Sequence, residues 1–153
     1  MATASVSIDL REIDAVKRLL ANAALNDGDR GRLLDGVGNL AESQTKERFI
    51  AKESPEGDTW KALAKKTREH YIRIGKNPNS ILMFKGRLLD SVTYNVEGGA
   101  WSVLVGATME YAAVHQFGNK AGTIPARPYL GVSREDAGEI ASLAAAFLAG
   151  GLG

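Results

Sequence analysis

The sequence predicts an α+β fold: an N-terminal strand and helical hairpin packed with an antiparallel β-hairpin sheet, short helices and a C-terminal helix. Three observations carry this. Apolar residues recur at spacings of three and four over residues 10–49, the period switches to two over 91–105, and helical spacing returns at 110–117 and again after 133. Helical runs flanking one strand pair, rather than strands alternating with helices, argue against a doubly wound sheet.

Residues 3–8 (TASVSI) alternate small or polar with apolar side chains and end at Asp9, which suits a strand running into a helix N-cap. Over residues 10–25 Leu10, Ile13, Val16, Leu19, Leu20 and Ala23 form one apolar stripe. Asn26-Asp27-Gly28-Asp29 interrupts it, and a second register begins at about Arg30 with Leu33, Leu34, Val37, Leu40, Ala41, Gln44 and Phe49. Gly36 and Gly38 inside that register predict a bend or a close approach to a neighbour. Ser54-Pro55-Glu56-Gly57-Asp58 reads as a loop, after which Thr59 would cap a short basic helix through Trp60, Leu63 and Lys66 toward Ile72. A break at 75–80 precedes a tight turn at Lys85-Gly86 and a short helical piece. The alternating runs 91–96 and 101–105, joined by Glu97-Gly98-Gly99-Ala100, predict an antiparallel hairpin. Residues 110–117 have helical spacing and stop at Gly118. A loop with Gly122, Pro125 and Pro128 leads to a last helix, started by Ser133-Arg134-Glu135-Asp136 in the manner of a capping box and ended by Gly150-Gly151.

The chain has 153 residues, of which 44% are hydrophobic, enough for one core, so residues 1–153 are expected to form a single domain. It has no cysteine, which excludes a disulfide framework, a thiol nucleophile and thiolate zinc ligation and fits a reducing cytosol. Residues 1–8 lack the basic start and apolar run of a secretory signal, and no apolar run approaches the roughly 20 residues of a membrane helix. A soluble protein with no membrane contact is expected. Net charge is only +1, but residues 54–89 hold eight Lys/Arg against Glu56, Asp58 and Glu69, whereas from Asp90 onward Lys120, Arg127 and Arg134 face six acids. Such a basic segment suits a nucleic-acid contact, an acidic face on another copy of the chain, or a solvated surface.

Candidate chemistry is sparse. His70 and His115 are the two histidines, and neither belongs to a metal-ligand pattern. His115 shares a helical face with Tyr111, and Ser91 or Ser133 would be the nucleophile of a hydrolase, but no Gly-x-Ser-x-Gly elbow is present. The residues therefore predict no enzyme, no cofactor and no metal. Gly86-Arg87-Leu88 has the form of an anion contact without a P-loop around it. Trp60, Tyr71 and Phe84, interleaved with the basic run, would stack on bases or fill the core.

Four blocks, taken together, resemble the phage virion morphogenesis family, the tail completion proteins of Mu-like and P2-like contractile-tailed phages. They are Phe84-Lys85-Gly86-Arg87-Leu88-Leu89-Asp90-Ser91-Val92-Thr93-Tyr94, Val105-Gly106-Ala107, Tyr111-Ala112-Ala113-Val114-His115-Gln116-Phe117-Gly118 and Ile124-Pro125-Ala126-Arg127-Pro128-Tyr129-Leu130-Gly131. Ser54-Pro55-Glu56-Gly57 and Trp60-Lys61-Ala62-Leu63 upstream match as well, and the resemblance covers roughly residues 5–148. Lys85 stands where members commonly carry Thr or Ser. The resemblance implies a structural virion protein, made in the host bacterial cytoplasm and carried in the tail or neck. It would form a ring, sixfold to match the tail, and contact tail or neck proteins. The other reading is a nucleic-acid-binding module using 54–89, including DNA in the lumen of a ring.

The residues of these blocks also suit an interface. Gly86 and Gly118 permit sharp turns, Pro125 and Pro128 stiffen a loop, and Arg127 between them is a directed donor. Arg87, Tyr111, His115, Gln116, Phe117 and Arg127 are therefore the candidate subunit or partner contacts, with the hairpin contributing to an intersubunit sheet.

Overall fold

A computed structural model describes residues 4–83, 86–98 and 100–150. Thr3, Phe84, Lys85, Gly99 and Gly151, which the sequence assigns to strand, turn and cap positions, lie outside the described residues. The elements are β1 (Ala4–Asp9), α1 (Asp14–Ala21), α2 (Asp27–Ala51), α3 (Lys65–Arg73), α4 (Arg87–Ser91), β2 (Val92–Val96), β3 (Ser102–Ala107), α5 (Ala112–Phe117) and α6 (Arg134–Gly150).

The sheet has the order β1-β3-β2, all antiparallel. The hairpin places Tyr94 opposite Val105, and the N-terminal strand pairs with the other side of β3, Val6 opposite Val105. β3 is therefore the central strand. Val103, Val105 and Ala107 are buried, and so are Ser102 and Gly106 on the alternate positions, which is why the strand carries no charged side chain.

Local boundaries follow from caps. Asp9 accepts the Arg11 N–H, but it starts a 3-10 turn over Leu10–Glu12, and regular helix begins only at Asp14. Asn26 accepts the Asp29 N–H, so Asp27-Gly28-Asp29 is the first turn of α2 rather than a spacer before it. The basic helix also begins later than the sequence suggests. Thr59 pairs with Glu53 in a short bridge, residues 60–64 are extended or irregular, and α3 starts at Lys65. The cause is Trp60, whose indole is buried and donates to the Pro128 carbonyl (2.7 Å), which holds that stretch against the core. At α6 the capping box is complete: Ser133 Oγ accepts the Asp136 N–H, and the Asp136 carboxylate accepts the Ser133 N–H.

α2 is the central helix of the fold, lying across the sheet and packing with α6; α6 also packs against α1. Gly38 faces the Tyr94 ring so closely that a methyl group there would overlap it, which explains a glycine in mid-helix. Further along α2, Phe49 is fully buried between Trp60 (5.5 Å, edge-on) and Tyr129 (5.3 Å, tilted). Arg48, one residue earlier, donates to the Tyr129 carbonyl (2.8 Å) and ion-pairs with buried Asp136. These contacts draw the 127–130 segment, the loop after Ser54 and the start of α6 onto the end of α2.

Candidate functional site

α5 has only six residues, too short to persist on its own, and the rest of the chain secures it bond by bond. The Tyr129 hydroxyl donates to the Ala112 carbonyl (2.8 Å), the Gly118 N–H to Val114 (2.7 Å) and the Arg127 N–H to His115 (2.8 Å). Gln116 Oε1 accepts from the N–H groups of both Tyr129 and Leu130 (3.0 Å each), while its amide nitrogen donates to the Leu130 carbonyl (3.2 Å). Gly118 ends the helix at φ +77°, and an added Cβ would lie 3.0 Å from the Ile124 carbonyl oxygen and the Ala126 nitrogen. Asn119 closes the following loop by accepting the Ile124 N–H (3.0 Å).

Arg127 sits between Pro125 and Pro128, and its guanidinium is buried. Nε donates to the Lys61 carbonyl (2.7 Å) and Nη2 to the Ala62 carbonyl (3.0 Å). The side chain thus fastens the irregular 60–64 stretch to the α5 loop. Burial lowers the guanidinium's pKa from its ordinary value, with Tyr71 opposing.

His115 and Tyr111, one helical turn apart, touch edge to face at 5.5 Å between ring centres. Burial lowers the His115 pKa, and the nearby Arg127 charge lowers it further, so the ring is neutral at pH 7. Its Nδ1 is buried and has no hydrogen-bond partner among the described residues.

Beside these two rings opens a half-enclosed pocket of about 310 Å³. Tyr111 and His115 line it from α5 and Arg127 from the loop; Gly86, Arg87 and Leu88 come from the start of α4, and Leu63, Tyr71 and Leu82 from the segment between α2 and α4. Gly86 holds φ +69° as the residue that starts α4, which brings Arg87, itself exposed, to the pocket rim. Four of the six residues singled out as contacts therefore meet around one cavity: Arg87, Tyr111, His115 and Arg127. The other two do not. Gln116 engages its amide inside the chain, and Phe117 points into solvent at 70% exposure.

The sequence reading did not single out Tyr129, Leu63, Tyr71 or Leu82 for this site. Tyr129 was legible as part of the Arg127-Pro128-Tyr129 block, and burial pushes its phenol well above the ordinary range, consistent with a permanent donor. The other three are separated in the chain: Tyr71 reads as an aromatic of the basic run and Leu63 as part of the Trp60-Lys61-Ala62-Leu63 block, but nothing local joins them or Leu82 to α5. Among the described residues, no group of three His, Cys, Asp or Glu side chains could hold a metal ion, and no helix is long and apolar enough to cross a membrane. The basic side chains of α3, Lys65, Lys66, Arg68 and Arg73, are all exposed, and no residue of that helix is buried.

Comparison with known proteins places this arrangement. The chain is 31% identical over 144 residues to the protein of Escherichia phage Mu named "Putative capsid assembly protein G", covering 89% of this chain and 88% of that protein. It is 28% identical over 140 residues to Mu-like prophage FluMu G protein 2 of Haemophilus influenzae (88% and 90% covered) and 25% identical over 107 residues to FluMu G protein 1 (70% and 71%). No solved structure matches it. The model of the phage virion morphogenesis family matches residues 11–149, nearly the whole chain, and the protein therefore belongs to that family, with a role in building the phage particle.

Proposed function

We propose that the chain is a structural subunit that closes into a ring, sixfold to match a phage tail, and completes the tail or its junction with the head. The observation that carries this is the rigid edge at α5. A six-residue helix has its Ala112, Val114 and His115 carbonyls occupied and its flanking loop clamped, yet it leaves Phe117 and Tyr111, 70% and 39% exposed, in water. Large apolar side chains on a fixed base mark a contact surface rather than a loose loop. The ring reading also draws on the polarised charge, since a cyclic contact needs two different complementary patches on each subunit. β1 and β2 lie at the two edges of the sheet, and the edge of the hairpin is available to a neighbouring subunit's strand.

The phage Mu relative's name speaks of capsid assembly and the family of virion morphogenesis, and both accord with work at a junction of the particle. The direct test is removal of the gene from its phage. Unjoined heads and unfinished tails in electron micrographs are expected, and normal infectious particles would refute the reading. The exposed basic face of α3 supports a second role, contact with DNA in the lumen of the ring. A filter-binding titration checks it, with retention that falls steeply with salt as the expected result and no retention at physiological salt ending it.

A further inference from the structure

The pocket and the exposed end of α5 are complementary in chemistry. The pocket combines leucine walls (Leu63, Leu82, Leu88), two tyrosines (Tyr71, Tyr111) and a guanidinium at the rim, Arg87; His115 and Arg127 complete the lining, the Arg127 guanidinium already donating to the Lys61 and Ala62 carbonyls. An aromatic ring satisfies all three: apolar contact with leucine, edge-to-face contact with tyrosine, and a π-face beneath a cation. A carboxylate would lose its hydration against leucine. An aliphatic side chain would leave the cation and the rings without their favoured geometry.

The chain itself offers such a ring. Among the described residues, the exposed large apolar side chains include two aromatics, Phe117 and Tyr111, and Tyr111 already lines the pocket. Residues two apart on a helix point about 200° apart. His115 faces the pocket, so Phe117 faces away from it, and Phe117 cannot fill the pocket of its own chain. Its backbone is also fixed in advance, by Gln116 on one side and by Gly118 on the other, so little ordering is left for binding to cost.

We propose that Phe117 of one copy seats in the pocket formed by Leu63, Tyr71, Leu82, Arg87 and Tyr111 of a second copy. This rests on the ring-forming reading and names its contact. Knob and socket are different surfaces, so the pairing is heterologous and propagates around a ring.

Sedimentation velocity over a wide concentration range tests it, on the full chain, with Phe117→Ser as the knob variant and Leu63→Trp, which fills the socket, or Arg87→Glu at the exposed rim should Leu63→Trp fail to fold. Wild type should self-associate, and each variant alone should do so about 30-fold or more weakly, the scale of an interface hot spot. Mixing the two variants should restore one productive contact, the intact knob of one chain in the intact socket of the other, and stop at a dimer. Self-association of Phe117→Ser equal to wild type overturns the contact while leaving the ring reading in place. A mixture that forms no dimer overturns it as well. A wild-type chain that stays monomeric at every concentration overturns both the contact and ring formation by the free protein; it also redirects the pocket to an aromatic side chain from another virion protein.

Discussion

Arg127 donates its backbone N–H to the carbonyl of His115 over 2.8 Å, and the same residue's guanidinium reaches back more than sixty positions to the carbonyls of Lys61 and Ala62. One residue thus ties the end of α5 to the stretch before α3. Arg127→Ala would strip two carbonyls of their donor and open the pocket wall. A loss of about 1–3 kcal/mol in urea unfolding is expected, because a hydrogen bond from a charged donor contributes about 1.5–3 kcal/mol and water can take up the carbonyls of the exposed residues Lys61 and Ala62. Arg127→Lys should recover only part, since an ammonium lacks the planar fork.

Arg48 and Asp136 form a buried ion pair, and Asp136 also caps α6. Asp136→Ala should destabilise the chain by about 3–5 kcal/mol by leaving a buried guanidinium uncompensated. Adding Arg48→Met should restore a large share of that loss. Thermal unfolding of the two single variants and the double variant measures this, and additive losses would contradict it.

Two glycines of α2 should respond to alanine with opposite signs. Gly31 has open space where a Cβ would stand, so Gly31→Ala should stabilise by about 0.5–1 kcal/mol through helix propensity. Gly38→Ala gains the same propensity but meets the Tyr94 ring, and its midpoint of unfolding should fall. Combining Gly38→Ala with Tyr94→Ala should remove the penalty due to overlap.

His115 supplies a pH dependence whose sign follows from its environment. Its pKa is lowered in the folded chain, by burial first and by Arg127 second. The unfolded chain therefore takes up a proton more readily than the folded one. The contribution is fully present above the unfolded value near 6.5 and is lost as pH falls from there toward the folded value. Urea midpoints at pH 7.5 and 5.5 should separate more for wild type than for His115→Phe.

Much of the fold was legible because it rests on local periodicity. The hairpin, the stripe of α2 and the Ser133 to Asp136 cap each follow from residues a few positions apart. The start of α3 was misplaced because Trp60 is held by Pro128, sixty-eight positions away, and no local pattern announces that bond. The candidate contacts were legible as residue types but not as a place. Gln116 looks like an interface residue in the sequence, yet its amide is committed to Tyr129 and Leu130. Leu63 and Leu82 join the pocket only through the chain's path between α2 and α4.

The strand order has a consequence in time. β1 is synthesised well before β3, yet β3 is its partner in the sheet, with Asp9 opposite Ser102. At about 5–20 residues per second, translation leaves the first strand waiting on the order of 5–20 s for its mate. The second strand pairs almost at once with the third. The nascent chain therefore carries an uncommitted strand until β3 emerges, and a fusion or stalled ribosome that delays β3 would expose it to pairing with a neighbouring chain.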